Sequence, residues 1–546
     1  MIDQKFHFLF TAIIILQHTL QTGAAFARFH QFTHQPSLVS HRWASATDVI
    51  TTNTIGSVGI LIPSKDANSV KSKYGRKSPV GNPTILDAAT QLADKIFWFS
   101  DGTVTAKVVS SFDDLSDDSS LELLNMDILV AFGLSSGSDL EYVSKLFSLR
   151  QRQQDTRKKH RQCQFALDCS DTQLPVFVGP YDDDKVDFRM LIPWTKQASG
   201  LRLSRQMNDL LARWTSDDFA VALLLFLNQF SGKTIDWVKH SIDATWEKGP
   251  LQNAKEFYSM ISKCGNCITK CLTDDTCKTC LTALTAVDTR DQVSSYRTIV
   301  SFESEILKEF SLCILQKNNV FNCDAKIPNL PKVQPTSSWR GQPLSFETAR
   351  KVLIGHLKVL PELAGSLNLE ISWKVACGAN VAYDQFPCQN QIFYESTNGK
   401  NMWYDPVFRV ETIDGRNVWC KRHYRVRDGP VAGTFRFSVL DNGVTSNEFW
   451  TIVSVADDMS WIVFHYAGAA SVVGQRYLGG LLCTPDGLLP PTEQLPKVWD
   501  AFKSAGIQPW ELYIVDNDTN SSGALEAGPP PLTYFRDQAT LKRENI

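Results

Sequence analysis

Between residues 393 and 466, short segments with apolar side chains at every second position follow one another, separated by Gly, Asn and Asp. That alternation limits this part of the chain to an antiparallel β meander. The segments are the region around Phe393, Trp403–Val410, Val418–Val426, Thr434–Val439, Glu448–Val455 and Ser460–Tyr466. In the fourth, Phe435, Phe437 and Val439 share one face while Arg436 and Ser438 take the other, because successive strand side chains point to opposite sides. The strands are followed by Leu495 to Ser504, where the spacing of Val498 and Phe502 predicts a helix. Many short strands closed by one helix predict an up-and-down barrel, which removes exposed edges and can enclose a ligand.

A barrel uses only part of this chain. With 546 residues, 43% of them hydrophobic, there is material for two or three cores. From Thr84 to about Pro250, apolar runs such as Ile128–Phe132 and Leu174–Val178 alternate with helical stretches, which predicts an α/β domain over 83–255. Within it, Ser216-Asp217-Asp218 caps a helix over Phe219–Phe230, too short to span a bilayer and therefore a core element. Residues 48–82, rich in Thr, Ser, Lys and Gly, read as processing sequence and linker without a core. Pro328, Pro331, Pro335 and Pro343 mark a linker over 327–345. The barrel is expected over 346–523 and a flexible tail over 524–546. Between the α/β domain and the linker lies a cysteine-rich segment, 256–326, where Cys264-x2-Cys267 and Cys277-x2-Cys280 fit either disulfides or a four-thiolate zinc site. A formal net charge of -3 leaves no field to steer a polyanion, so no nucleic-acid partner is expected.

The first 25 residues read as a signal peptide. Lys5 precedes the apolar run Phe8–Leu16, and Gly23, Ala24 and Ala25 follow at the distance a signal peptidase needs. From Phe26 to Thr47 there are Arg, His, Ser and Thr residues and no acid, the composition of a transit peptide. The junction Ala24-Ala25-Phe26-Ala27 resembles the cleavage motif of bipartite presequences in algae with complex plastids. The expected address is therefore the plastid, in the thylakoid lumen or the stroma. Plain secretion is the alternative, under which the sequons at Asn517 and Asn520 would matter.

The segment from Trp373 to Gln389, with Trp373, Tyr383-Asp384 and Phe386-Pro387-Cys388-Gln389, resembles the opening of the barrel domain of the violaxanthin de-epoxidase family. Glu448-Phe449-Trp450 resembles that family's acidic-acidic-Trp strand, Phe464-His465-Tyr466 its aromatic strand, and Gly479-Gly480 its paired glycines. Upstream, Lys270–Cys277 and Glu309–Cys313 resemble parts of its cysteine-rich domain, so the likeness covers roughly residues 260–523. The region before about residue 250 has no counterpart in the enzyme itself, which directs the comparison to the violaxanthin de-epoxidase-related proteins. The implied fold class is α+β multidomain: an N-terminal α/β region, a cysteine-rich helical segment and a C-terminal lipocalin-like antiparallel β-barrel with one helix.

The resemblance implies an oxidoreductase that opens a carotenoid epoxide in thylakoid lipid, with ascorbate as co-substrate, in the xanthophyll cycle or carotenoid biosynthesis. It also implies peripheral membrane contact and a homodimer. Glu448 takes the place of the catalytic carboxylate and Asp384 that of a second catalytic acid. Gln389, Trp450, Trp373 and Tyr466 fall at substrate-binding positions. The pattern departs at Pro387, Gln391, Phe449 and Cys483, where the family carries Asp, His, a second acid and Tyr. Those departures motivate two alternatives: a lipocalin-like carotenoid or lipid carrier without turnover, and an epoxide isomerase without net reduction. Cys264, Cys267, Cys271, Cys277, Cys280, Cys313 and Cys323 resemble the family's disulfide framework, so no metal is expected. Cys388 resembles a cysteine that ties the barrel, with Cys377, Cys420 or Cys483 within reach as partners.

Overall fold

The computed structural model describes residues 54–63, 78–110, 117–134, 137–156, 162–167, 177–178, 216–230, 233, 235, 533–537 and, with short gaps, 254–518. The segment read from the sequence as a signal peptide, most of that read as a transit peptide and linker, and most of the expected tail lie outside the described residues.

The N-terminal unit runs β1 (Gly56–Leu61), α1 (Ile85–Phe99), β2 (Val104–Val109), α2 (Asp117–Asn125), β3 (Ile128–Phe132), α3 (Gly137–Thr156), β4 (Cys163–Leu167), β5 (Phe177–Val178) and α4 (Ser216–Phe230). Its sheet has the order β2-β1-β3-β4-β5, parallel except for the β4–β5 pair. α1 and α4 pack on Val58, Ile60 and Val130 on one face, and residues of α2 and α3 pack on Leu61, Leu129 and Ala131 on the other. A parallel sheet covered on both sides needs unbroken apolar strands, which is why Ile128–Phe132 does not alternate. β1 corrects the expectation that residues 48–82 contribute no core: it is an inner strand. Gly56, Ser57 and Gly59 dilute its apolar signal. Gly59 is required there, since a Cβ would stand 2.5 Å from Leu129 Cδ2 and 2.8 Å from Met126 Sδ.

The cysteine-rich segment is helical: α5 (Ala254–Thr273), α6 (Asp275–Ala286), α7 (Gln292–Ser301) and α8 (Glu305–Ser311), the last continuing as a π-helix over Leu312–Lys317. Disulfides join Cys264 to Cys313 and Cys271 to Cys277. Cys264 and Cys277 are therefore committed to bridges and cannot serve as thiolates of a zinc site. Among the described residues, the expected bridges at Cys267, Cys280, Cys323 and Cys388 do not form, nor do Cys377, Cys420 or Cys483 pair with Cys388. Helical pitch explains Cys267: Cys264 and Cys271, seven residues apart, share one buried stripe, and Cys267 sits at its edge. Cys280 packs as an apolar side chain among Ile268, Leu281 and Phe310.

The C-terminal unit consists of α9 (Phe346–Ile354), β6 (Trp373–Gly378), β7 (Asn390–Glu395), β8 (Met402–Glu411), β9 (Asn417–Lys421), β10 (Tyr424–Asp428), β11 (Thr434–Asp441), β12 (Val444–Val455), β13 (Ile462–Ala470), β14 (Gln475–Thr484), α10 (Leu495–Ser504) and β15 (Tyr513–Ile514). Antiparallel pairing closes a ring of eight strands in the order β6-β14-β13-β12-β11-β10-β8-β7 and back to β6. β9 and β15 are additions on β8 and β6. The alternation over Val418–Val426 is thus two strands, because both ends of the long β8 find a partner.

α9 closes the barrel floor, where Trp373 Nε1 donates to Leu353 O at 3.0 Å. Gly355, at φ 61°, lets the chain pass under that ring, since a Cβ would lie 2.2 Å from Trp373 Nε1. Outside, α10 buries Val498, Ala501 and Phe502 in one cluster with Val463 and Leu482. The proline-rich stretch is not a free linker: Thr336 N donates to Ile452 O at 2.9 Å, Trp339 Nε1 donates to Ala456 O at 3.1 Å, and Val333 is buried. The tail also differs from expectation, with Thr533–Asp537 pairing antiparallel with Ser366–Glu370. Its Thr-Tyr-Phe sequence favours strand once the preceding prolines end.

The two large units are in contact through α1. Gln91 Nε2 donates to Gly506 O at 2.8 Å and Glu511 Oε2 at 2.7 Å, and Ala467 and Leu478 of the barrel join the N-terminal core. No helix among the described residues is long and apolar enough to cross a membrane. At the sequon Asn517, Nδ2 donates to Val375 O and Gly487 O at 2.8 and 3.1 Å, so both amide hydrogens are engaged in the fold.

The Cys264–Cys313 bridge closes a loop of 49 residues in sequence. Replacing both cysteines with Ser is expected to cost about 2–4 kcal/mol. Equilibrium denaturation followed by far-UV circular dichroism measures it, with early loss of helical signal as the expected signature.

Candidate functional site

The interior of the barrel is aromatic. Phe393 stacks on Tyr404 at 4.5 Å, Phe437 on Trp450 at 4.7 Å, and Trp450 on Tyr466 at 5.1 Å. Period-two alternation puts Glu448 and Trp450 on the inner side of β12, with Phe449 between them facing out beneath the Arg436 guanidinium at 5.3 Å.

Two carboxyl groups are buried among these rings. Glu448 Oε2 accepts from Trp450 Nε1 at 2.6 Å, and its Oε1 accepts from the Tyr477 hydroxyl at 2.7 Å. Asp384 Oδ1 accepts from the Tyr466 hydroxyl at 2.8 Å, and its Oδ2 accepts from Asn380 N at 2.7 Å. Burial raises the Glu448 carboxyl above its ordinary range, against the opposing effect of its Trp450 and Tyr477 donors. Burial also pushes Asp384 up to about 7, aided by the charge of Glu448 and opposed by the Asn380 and Tyr466 hydrogen bonds.

Glycines opposite the tyrosines set this geometry. Tyr466 on β13 is the cross-strand partner of Gly479 on β14, and Tyr477 is the partner of Gly468. A Cβ at Gly479 would stand 2.0 Å from the Tyr466 ring, and one at Gly468 would stand 2.1 Å from the Tyr477 ring. Each phenol therefore lies flat across the neighbouring strand, with its hydroxyl carried towards one carboxyl. A Cβ at Gly378 would meet Asp384 Cβ at 2.3 Å, so that glycine admits the Asp384 loop close to β6.

The structure brings Asp384, Glu448, Trp450 and Tyr466 together, while Trp373 lines the same interior from its floor. Gln389 sits across from Val375, two residues along β6 from Trp373, and its side chain reaches towards the other end, its Nε2 donating to Tyr383 O at 2.9 Å. Tyr383 spans from Tyr477, at 6.3 Å, to Tyr296 of α7, at 4.7 Å, so the cysteine-rich segment covers this end of the barrel. Arg422 holds that cover, paired with Glu303 and with Asp441. Gln391 accepts from the Tyr404 hydroxyl, and Cys483 is buried in the interior cluster with Trp373 and Val375. His465, by contrast, is on the outer face of β13, where burial, with Lys95 nearby, drives its pKa down to about 3 and leaves a neutral imidazole.

Sequence reasoning missed Tyr477 and Asn380. Period two from Gly479 places Tyr477 on the inner face, but its match with Gly468 needs the register of β13 and β14.

Eight antiparallel strands closed around a buried, largely aromatic interior with a few polar groups define a lipocalin-type barrel. Residues 256–517 match the family model of the VDE lipocalin domain, which supports a VDE-like lipocalin domain over that segment. None of the curated proteins matches the chain. Among solved structures, it is similar to lobster apocrustacyanin A1, at 14% identity and a TM-score of 0.22 over 36% of this chain and 94% of that one. It is also similar to insecticyanin from the tobacco hornworm Manduca sexta, at 10% identity and a TM-score of 0.24 over 37% and 94%.

The Asp384 carboxyl has a linked effect on stability. Its folded pKa, about 7, lies above the ordinary aspartate value of 3.8, so between these pH values the folded protein holds a proton that the unfolded chain has released. This contribution is full at low pH and is lost as pH rises through about 7. Thermal unfolding of wild type and Asp384→Asn across pH 4 to 8 is expected to show a wild-type Tm that declines relative to the variant as pH rises.

Proposed function

We propose that this chain is a plastid xanthophyll de-epoxidase-like enzyme acting on carotenoid epoxides, with ascorbate as reductant. The observation that carries this reading is the pair of buried carboxyls, each bonded to a phenol, inside an aromatic barrel. A polyene suits stacked Trp, Tyr and Phe rings, and reductive opening of an epoxide requires a proton donor at its oxygen. Asp384, raised to about 7, is protonated across mildly acidic pH and suits the general acid.

The nitrogen donors restrict where each proton can sit. Asn380 N–H and Trp450 Nε1–H can only donate, so Asp384 Oδ2 and Glu448 Oε2 remain acceptors. A proton on either carboxyl therefore resides on the oxygen that faces a phenol: Oδ1 towards Tyr466, Oε1 towards Tyr477. A phenol hydroxyl both donates and accepts, so Tyr466 and Tyr477 can pass the proton onward. In the balanced reaction the epoxide oxygen takes two protons and leaves as water, a carbon–carbon double bond forms, and ascorbate supplies two electrons and becomes dehydroascorbate. Gln389 and Trp373 are the groups proposed to orient the bound polyene. Peripheral contact with thylakoid lipid and a homodimer accompany this reading.

A carrier function is the second reading, favoured by Tyr404 and Gln391 satisfying each other in the interior. An isomerase that opens the epoxide without net reduction is the third.

The test is incubation of the protein with violaxanthin and ascorbate in galactolipid from acidic to neutral pH, with pigments resolved by chromatography. Conversion is expected to fall as pH rises through about 7, where Asp384 ionises. Asp384→Asn and Glu448→Gln are expected to lower it by roughly 10²–10⁴-fold. Unchanged pigment that remains bound would move the assignment to the carrier, and a product formed without ascorbate consumption would move it to the isomerase.

A further inference from the structure

Arg409, on β8, is wholly buried, and none of its three guanidinium nitrogens has a hydrogen-bond partner. Removing a guanidinium from water without pairing it is strongly unfavourable, and natural proteins retain such groups where something neutralises them. Alternation along β8 puts Arg409 on the opposite side from Tyr404, hence on the barrel's outer wall. Its cross-strand partner on β9 is Trp419, whose indole N–H lacks a partner as well. On the other flank Arg409 N donates to Pro387 O at 3.0 Å, which brings the Pro387-Cys388 segment alongside. Cys388 sits there at φ 57° with its N–H on Asp516 O at 2.8 Å.

The acids in this neighbourhood do not supply the missing counter-charge. Asp405 lies on the same face four residues back, ~13 Å along the strand, and binds His423 Nδ1 at 2.5 Å and the Tyr394 hydroxyl at 3.1 Å. Asp516 Oδ1 accepts from Asp518 N at 3.0 Å, and among the described residues no carboxylate pairs with Arg409.

We propose that Arg409 and Trp419 form a binding site for a small oxyanion, a carboxylate or phosphate, on the outer wall of the barrel. The planar guanidinium fork matches two oxygens of such a group, and the indole N–H adds another donor from the facing strand. Burial makes this attraction stronger than at a surface and shields it from salt, so occupancy depends on the identity of the anion and not on ionic strength. The site is separate from the interior carboxyls and stands whether or not the barrel turns over an epoxide.

Thermal unfolding of the full chain in acetate, in inorganic phosphate and in chloride at matched ionic strength tests it, with wild type, Arg409→Met and Trp419→Phe compared. A saturable rise in wild-type Tm with acetate or phosphate over chloride is expected, and the more effective anion identifies the ligand class. Arg409→Met should show no anion response and should match or exceed wild type in chloride, because the variant removes an uncompensated buried charge. Trp419→Phe should weaken the apparent affinity several-fold. A wild-type Tm indifferent to both anions, or an Arg409→Met variant that responds as wild type does, would overturn the proposal.

Discussion

Two tyrosine rings lying flat on two glycines hold the barrel interior in order. With Gly479 beneath Tyr466 and Gly468 beneath Tyr477, each ring crosses onto the neighbouring strand, where any larger residue would push it away. The exchange is reciprocal between β13 and β14, so a single ladder register fixes both phenols. Through them it fixes Asp384, which belongs to a loop, and Glu448, which belongs to β12. A loop carboxylate and a strand carboxylate thereby share one rigid frame. Trp450 completes the frame, bonding Glu448 through its nitrogen and stacking on Tyr466 through its ring.

Strand alternation alone made most of the barrel legible. Phe435, Phe437 and Val439 face inward as their spacing requires, and α10 forms where Val498 and Phe502 place it. What the sequence concealed was set by partners distant along the chain. β1 carries two glycines in six residues and looks like linker, yet Gly59 is what lets Met126 and Leu129 close on it. The prolines of 327–345 read as a spacer, and the hydrogen bonds of Thr336 and Trp339 to the barrel cannot be read from composition. Asp384 was visible only through family resemblance, because a loop acid has no periodicity to expose it. Tyr477 escaped even that. Arg409, by its place in an alternating strand, reads as one more solvated charge; only its complete burial distinguishes it.

The positions that depart from the family pattern change the chemistry of the interior while leaving its packing intact. Gln391 meets the Tyr404 hydroxyl, Cys483 fills an apolar place beside Val375, and Phe449 turns outward under Arg436. None of these three carries charge, so among the described residues the ionisable carboxyls placed in the interior are the two with dedicated phenol partners. Within the barrel, the pH response then falls on Asp384 and Glu448 instead of being spread over many groups.

β13 faces two neighbours at once. Its even-numbered residues Phe464, Tyr466 and Gly468 build the interior, and the intervening His465 and Ala467 lie against the N-terminal unit, with Ala467 inside that unit's core. Evolution has little latitude in such a strand, since a change on either side disturbs an occupied surface. Sequence drift in this protein should therefore be slowest along β13, and α1 and the barrel should vary in concert, as two parts of a single inherited unit.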